Sequence, residues 1–185
     1  EDDMPDTIWV TRVLGEGRDG RVCEAIYQMG DERWNRCAVK FAVENVPSED
    51  INDECDAWNR VYSNTRNNGN PVAFLKTFSI NSVLVMPYVE MIDEEKARTS
   101  FHPEHCDCVR LIAKAGIKHT DLEWRHVGLR KSHEKGPEWK DEIWIVDFGM
   151  FEVVKVVNDV EVDELAEVMM NVFLLGNSKQ VGETE

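Results

Sequence analysis

Apolar and polar positions alternate over short distances in the first half of the chain. The runs "TIWVTRVLG", "RVCEAIYQMG" and "NRCAVKFAVE" are rich in β-branched, aromatic and apolar residues, and Gly17, Gly20, Gly30 and the polar "DERWN" punctuate them. This pattern predicts three successive strands in an antiparallel meander. The period then lengthens. "PSEDINDECDAWNRVYS" opens on Pro47 and Ser48 with acidic residues behind them, and it places Ile51, Cys55, Trp58 and Tyr62 on one helical stripe. "NNGN" breaks that helix, and "VAFLKTFSI" and "SVLVMPYVEM" read as two further strands joined through Asn81 and Ser82.

From Ile92 onward polarity rises and helical spacing dominates. "EHCDCVRLIAKAGI" carries an apolar stripe at Cys108, Leu111, Ile112 and Ala115 and stops at Gly116. Two short strands, "HVGLR" and "EIWIV", follow on either side of the polar insert "KSHEKGPEWKD", and "EVDELAEVMMNVFLL" predicts a helix from about Glu161. Its two methionines read as core filler. The sum is an α+β chain, a strand-rich half followed by a helix-rich half, with the join near Pro87.

Composition narrows the function classes. With 185 residues, 42% of them apolar, the chain is long enough for one ordinary domain or two small lobes. Thirty-six acidic against 21 basic side chains leave a formal charge of -15. That balance argues against a nucleic-acid or anionic-membrane surface, both of which need clustered Lys and Arg. No apolar run is long enough to span a bilayer, and "EDDMPD" lacks the basic start and apolar stretch of a secretory signal. A first residue of Glu fits a chain whose leader has been removed. The cysteines are odd in number, at Cys23, Cys37, Cys55, Cys106 and Cys108, without a dense even framework. This points to a reducing compartment, hence a cytoplasmic location, or a host cytoplasm or nucleus for a secreted protein without its leader. "HPEHCDC" gathers His102, His105, Cys106 and Cys108, which are metal-ligand types, at a spacing that matches no defined zinc motif.

Three stretches carry candidate chemistry. "GEGRDGRV" satisfies G-x-G-x-x-G-x-V from Gly15 through Gly17 and Gly20 to Val22, and it lies between two predicted strands. A glycine turn there can fold over nucleotide phosphates, whereas a dinucleotide loop must open a helix. "CAVK" sets Lys40 among alternating apolar residues, so its stem can follow the inner face of the sheet. Glu54, Glu49 and Glu44 compete as its partner, and helical period favours Glu54, which shares an inward face with Trp58. Asp147 in "IWIVDFGM" ends an apolar run, where a carboxylate is costly unless it is paired or bound to a cation. Mg²⁺ bridging phosphate oxygens is the natural occupant.

Taken in order with "HTDLEWRHVGL", these pieces resemble the protein-kinase-like superfamily from about Trp9 to about Leu175. The "WRH" after the aspartate is similar to small divergent kinase-like proteins of fungi and to the kinase domains of oomycete crinkler-type effectors. The resemblance implies a bilobal fold. Residues 1–86 would form a five-stranded antiparallel first lobe with one helix, 87–90 a hinge, and 91–185 a shortened, mostly helical second lobe. It implies ATP bound by Gly15, Gly17, Gly20, Val22, Ala38, Lys40, Glu54, Met86, Tyr88 and Val89. Met86 takes the gatekeeper place, and the backbone from Pro87 to Val89 meets the adenine. Asp121 and Lys40 match the catalytic pair, with Asp147 and His126 at the positions of the metal ligands for Mg²⁺ or Mn²⁺.

Three departures limit what carries over. His126 stands where the pattern has asparagine, and Mn²⁺ tolerates nitrogen better than Mg²⁺ does. Thr120 stands where many regulated kinases have an arginine, so a phosphorylation switch of the activation segment is not expected. Only 36 residues follow Gly149, without A-P-E or a long activation segment. A peptide-docking platform is therefore not expected, and the acceptor is either a protein that docks differently or a small hydroxylated molecule. The implied activity is that of a minimal Ser/Thr-type protein kinase. A pseudokinase, acting as a nucleotide-binding or scaffold protein for a protein partner, is the alternative.

Overall fold

The computed structural model describes residues 7–17, 20–28, 34–42, 48–66, 72–78, 81–99, 103–131 and 141–175. The chain divides into two units, Glu1–Tyr88 and Val89–Glu185. It is α+β, with predominantly antiparallel sheets.

In the first unit the alternating runs become β1 (Thr7–Gly17), β2 (Gly20–Gln28), β3 (Asn35–Ala42), β4 (Phe74–Phe78) and β5 (Asn81–Pro87). They form one sheet in the order β1-β2-β3-β5-β4, every pair antiparallel. Because side chains alternate across a pleat, the sheet has two distinct faces. Ala25, Cys37, Val39, Val83 and Val85 close one face into a buried core, with Ile8, Tyr27, Phe41 and Phe74 packed against it. The opposite face carries Lys40 and Leu84, directly paired across β3 and β5. Helix α1 (Ser48–Arg66) contacts β4 and β5. Its stripe of Ile51, Cys55, Trp58 and Tyr62 is buried throughout.

The second unit holds β6 (Glu90–Met91), α2 (Glu94–Thr99), α3 (Pro103–Lys114), β7 (Ile117–His119), a single 3-10 turn (Trp124–His126), β8 (Val127–Lys131), β9 (Asp141–Ile145), β10 (Phe151–Val153) and α4 (Asp159–Leu175). One small sheet runs β6-β8-β9 and a second pairs β7 with β10. α3 packs on α4, and Trp124 lies against Phe173 of α4 with ring centroids 4.0 Å apart. Met169 is fully buried, as a core methionine should be. Among the described residues no helix is long and apolar enough to cross a membrane.

Several boundaries differ from the sequence reading. Asn81 and Ser82 do not form the turn before β5. They belong to the strand, Asn81 opposite Phe78 and Ser82 opposite Thr77, and the two hydroxyls bond at 3.0 Å. His126 closes the 3-10 turn and does not begin β8. α4 starts at Asp159 because Asn158 Oδ1 accepts the Glu161 N–H at 3.0 Å while the Glu161 carboxylate accepts the Val157 N–H at 2.8 Å, a reciprocal cap. β6, β7, β10 and α2 are too short to stand out in the polarity pattern. "NNGN" lies entirely, and "DERWN" and "KSHEKGPEWKD" mostly, outside the described residues.

Gly116, at the end of α3, has φ 70°, and a Cβ there would stand 2.7 Å from the Val154 carbonyl oxygen. That close approach lets the Val154 N–H reach the Gly116 carbonyl at 2.9 Å, tying α3 to the segment after β10. Gly116→Ala should therefore lower stability by about 1–3 kcal/mol, read as a lower urea midpoint without loss of slope.

Candidate functional site

The glycine motif is a hairpin. Gly17 pairs with Gly20 and Gly15 with Val22 across β1 and β2, with residues 18 and 19 outside the described set. Only Gly20 is demanded by packing, since a Cβ there would overlap the Phe41 carbonyl oxygen. Among the described residues, the flanking ones aside, no atom lies within 4 Å of where a Cβ would stand on Gly15 or Gly17. β1 also carries two bulges, between Val10 and Arg12 and between Val13 and Gly15, which twist it ahead of the glycines.

The register collects the other first-unit residues. Val22 lies opposite Lys40 and Lys40 opposite Leu84, while Glu24 lies opposite Ala38 and Ala38 opposite Met86. Directly opposed side chains share a face, as do residues two apart, so Val22, Ala38, Lys40 and Met86 line one surface. Lys40 Nζ donates to Glu54 Oε2 at 2.6 Å, with side chains 9% and 3% exposed. Glu44 and the side chain of Glu49 lie outside the described residues.

Farther along the same face, Glu24 accepts from Arg12 at 2.6 Å and from Arg36 at 2.7 Å. The guanidiniums, Arg36 first, hold its carboxyl below the usual range. Arg36 also covers the Tyr88 ring at 3.6 Å. Nothing in the polarity pattern singled out this network.

In the second unit Asp121, Asp147 and His126 come together through two histidines. β7 ends at buried His119, whose Nε2 lies 2.8 Å from the Asp147 carbonyl oxygen. A carbonyl can only accept, so Nε2 carries the proton, and Nδ1 accepts the Asp121 N–H at 3.3 Å. Asp147 has φ 67°, the sole non-glycine residue in the left-handed region among the described residues. Its Oδ1 accepts the Gly149 N–H at 3.3 Å.

His126 stacks on His119, centroids 5.7 Å apart and planes 29° apart. Its Nδ1 accepts the Glu123 N–H at 3.3 Å while the Glu123 side chain accepts the His126 N–H, a closed capping box around the 3-10 turn. Its Nε2 lies 3.6 Å from Asp147 Oδ2. Burial pushes both imidazoles down, His119 to about 4 with His126 acting in the same direction.

Asp121 is partly exposed, and its Oδ2 accepts from Arg125, four residues on, at 3.2 Å; Arg125 also meets Glu123 at 2.6 Å. Val89 is buried, and its Cγ1 lies against Gly128, where no Cβ would fit. His119 and Arg125 are site residues the sequence reading did not single out, although each lies two and four positions from Asp121.

Of the metal-ligand types in "HPEHCDC", the side chains of Cys106 and Cys108 lie within the described residues. Cys108 is buried and donates to the Ile143 carbonyl at 2.8 Å, whereas Cys106 is exposed. His102 and the side chain of His105 lie outside the described residues. Among the described residues no group of three or more His, Cys, Asp or Glu side chains could hold a metal ion. Asp147 and His126 are therefore not part of a three-ligand cluster among the described residues.

A protein family described as a family of unknown function (DUF5898) matches residues 13–130, which spans the glycine hairpin, Lys40, Glu54, Asp121 and His126 and stops short of Asp147. No curated protein matches the chain.

Two outcomes follow from this geometry. Lys40→Met takes the ammonium away from a buried carboxylate and should cost about 3–5 kcal/mol, most of it recovered in Lys40→Met/Glu54→Leu; a double-mutant cycle in urea checks this. Because the folded His119 imidazole resists a proton that the unfolded chain accepts, its contribution to stability is full above about 6.5 and is lost as pH falls toward about 4. The loss is on the order of 3 kcal/mol, and His119→Gln should show a shallower fall in urea midpoint over that window.

Proposed function

The chain belongs to the family of unknown function DUF5898, and we propose that it is an ATP-dependent phosphotransferase on a bilobal protein-kinase-like fold, most simply a minimal Ser/Thr-type protein kinase. The observation that carries this reading is the buried Lys40–Glu54 ion pair at 2.6 Å. Two charges removed from water are worth more as a phosphate clamp than as a source of stability, since a buried pair is often no more stabilising than apolar side chains of the same volume.

In this reading Glu54 holds the Lys40 ammonium toward the α- and β-phosphate oxygens of ATP. Gly15 and Gly17 leave their strand backbone open to a phosphate, which explains glycine where protein packing does not require it. Val22, Ala38 and Met86 offer an apolar surface for the adenine, with the backbone of Tyr88 and Val89 reading its edge. Asp147, half exposed and held by His119 and Gly149, would bind a divalent cation, Mg²⁺ or Mn²⁺, which when bound neutralises phosphate charge.

Asp121 orients the acceptor hydroxyl and takes its proton as the oxygen bonds to the γ-phosphorus; the bond to the bridging oxygen breaks and its electron pair leaves with ADP. Arg125 fixes the orientation of the Asp121 carboxylate. The acceptor is a protein hydroxyl or a small hydroxylated molecule. With buried thiols throughout the first unit, the reaction belongs in a reducing compartment, the cytoplasm or that of a host.

A second reading, a nucleotide-binding pseudokinase that serves a protein partner, is favoured by one observation: the Asp121 carboxylate is already engaged by Arg125. Turnover of γ-labelled ATP with Mg²⁺ and Mn²⁺ in parallel separates the two. Phosphotransfer that falls about 10²-fold or more in Asp121→Asn supports the enzyme. A thermal shift with ATP and metal but no turnover supports the pseudokinase, and no shift leaves only a scaffold.

A further inference from the structure

We infer that His126 is a hydrogen-bond donor that positions the Asp147 carboxylate, and not a metal ligand in place of the asparagine. The inference rests on the phosphotransferase reading for the metal at Asp147, but its core is the tautomer of one imidazole.

A ring nitrogen that accepts a hydrogen bond has its lone pair engaged and bears no proton. Nδ1 of His126 accepts the Glu123 N–H at 3.3 Å, inside a capping box that Glu123 closes in return. A neutral imidazole then carries its proton on Nε2. To ligate a metal, Nε2 would need a free lone pair, and the proton would have to move to Nδ1. There it would face the Glu123 N–H, donor against donor, and the ring is only 4% exposed, so water could not relieve the conflict.

Nε2 has no hydrogen-bond acceptor within reach among the described residues, and it lies 3.6 Å from Asp147 Oδ2. That is longer than a hydrogen bond and closes to one by a small side-chain rotation. An imidazole N–H this near a carboxylate oxygen is attracted to it, and the contact is charge-assisted once the hydrogen bond is made.

His119 shows the same arrangement with its proton assigned by a carbonyl. Its Nδ1 accepts a loop amide, from Asp121, and its Nε2–H donates to the Asp147 backbone at 2.8 Å. The two stacked rings thus share one tautomer and converge on one residue, His119 at the main chain and His126 at the carboxylate. The metal ligand supplied by the asparagine in the wider pattern has no counterpart at His126, so the site depends on Asp147.

The test begins with metal-free, ¹⁵N-labelled protein and a long-range ¹H–¹⁵N correlation of the imidazoles, assigned through the backbone. The expected pattern for His126 is a protonated Nε2 and an unprotonated Nδ1, matching His119; the reverse at His126 overturns the inference. In the second arm, Mn²⁺ and a non-hydrolysable ATP analogue are added to protein carrying ¹⁴N- or ¹⁵N-histidine and the electron spin-echo envelope is recorded. Identical spectra are expected, and an isotope-dependent coupling of a directly bound nitrogen overturns it. Failure of Mn²⁺ and the analogue to bind would remove the phosphotransferase reading, while the tautomer measured in the first arm would still decide the role of His126.

Discussion

The ion pair between Lys40 and Glu54 is the constraint on which the first unit turns. Both side chains are almost closed to solvent, and neither charge could remain there without the other, because the desolvation of a lone buried ion exceeds what packing returns. The pair joins the middle strand of the sheet to α1. It also orients the sheet, since a lysine on one face of β3 forces Cys37 and Val39 onto the other, where they meet Ala25, Val83 and Val85. Glu54 sits between Ile51 and Trp58 on the buried side of α1, so the charge is enclosed by the contacts that dock the helix.

The second unit solves a different problem, the exposure of a carboxylate from a strained backbone. Asp147 follows β9 with φ 67°, a conformation that persists only when its surroundings hold it. The holding runs through His119. Its imidazole fastens the Asp147 carbonyl, β7 carrying it is paired with β10, and the His119 N–H meets Met169 of α4 at 3.3 Å. A neutral, buried imidazole is the suitable tool, because each ring nitrogen then has one defined role.

Much of this was legible in the chain. The helical stripe of α1 places Glu54 inward without reference to any fold, and the alternation of "CAVK" places Lys40 on a face. Five of the strands are long enough for their periodicity to show. β7 and β10 are three residues each and pair across more than thirty positions, so no local pattern marks them. His119 and Arg125 escaped notice for a similar reason: their roles are defined by partners, the Asp147 carbonyl and the Asp121 carboxylate, and not by residue type. The cap at Asn158 and Glu161 was visible as a spacing, and reading it would have set the start of α4 correctly.

The amino-acid sequence by itself determined the α+β class, the meander of the first three strands and the inward facing of Lys40 and Glu54, because these depend on periods of two and about 3.6 that burial enforces locally. Only the tertiary structure decided which nitrogen of each histidine holds its proton, where Arg125 points, and why Asp147 can stand in the left-handed region. Those properties arise from hydrogen bonds, the His119–Asp147 bond between segments distant in sequence and the Glu123–His126 and Arg125–Asp121 bonds within one loop, whose geometry no pattern of polarity encodes.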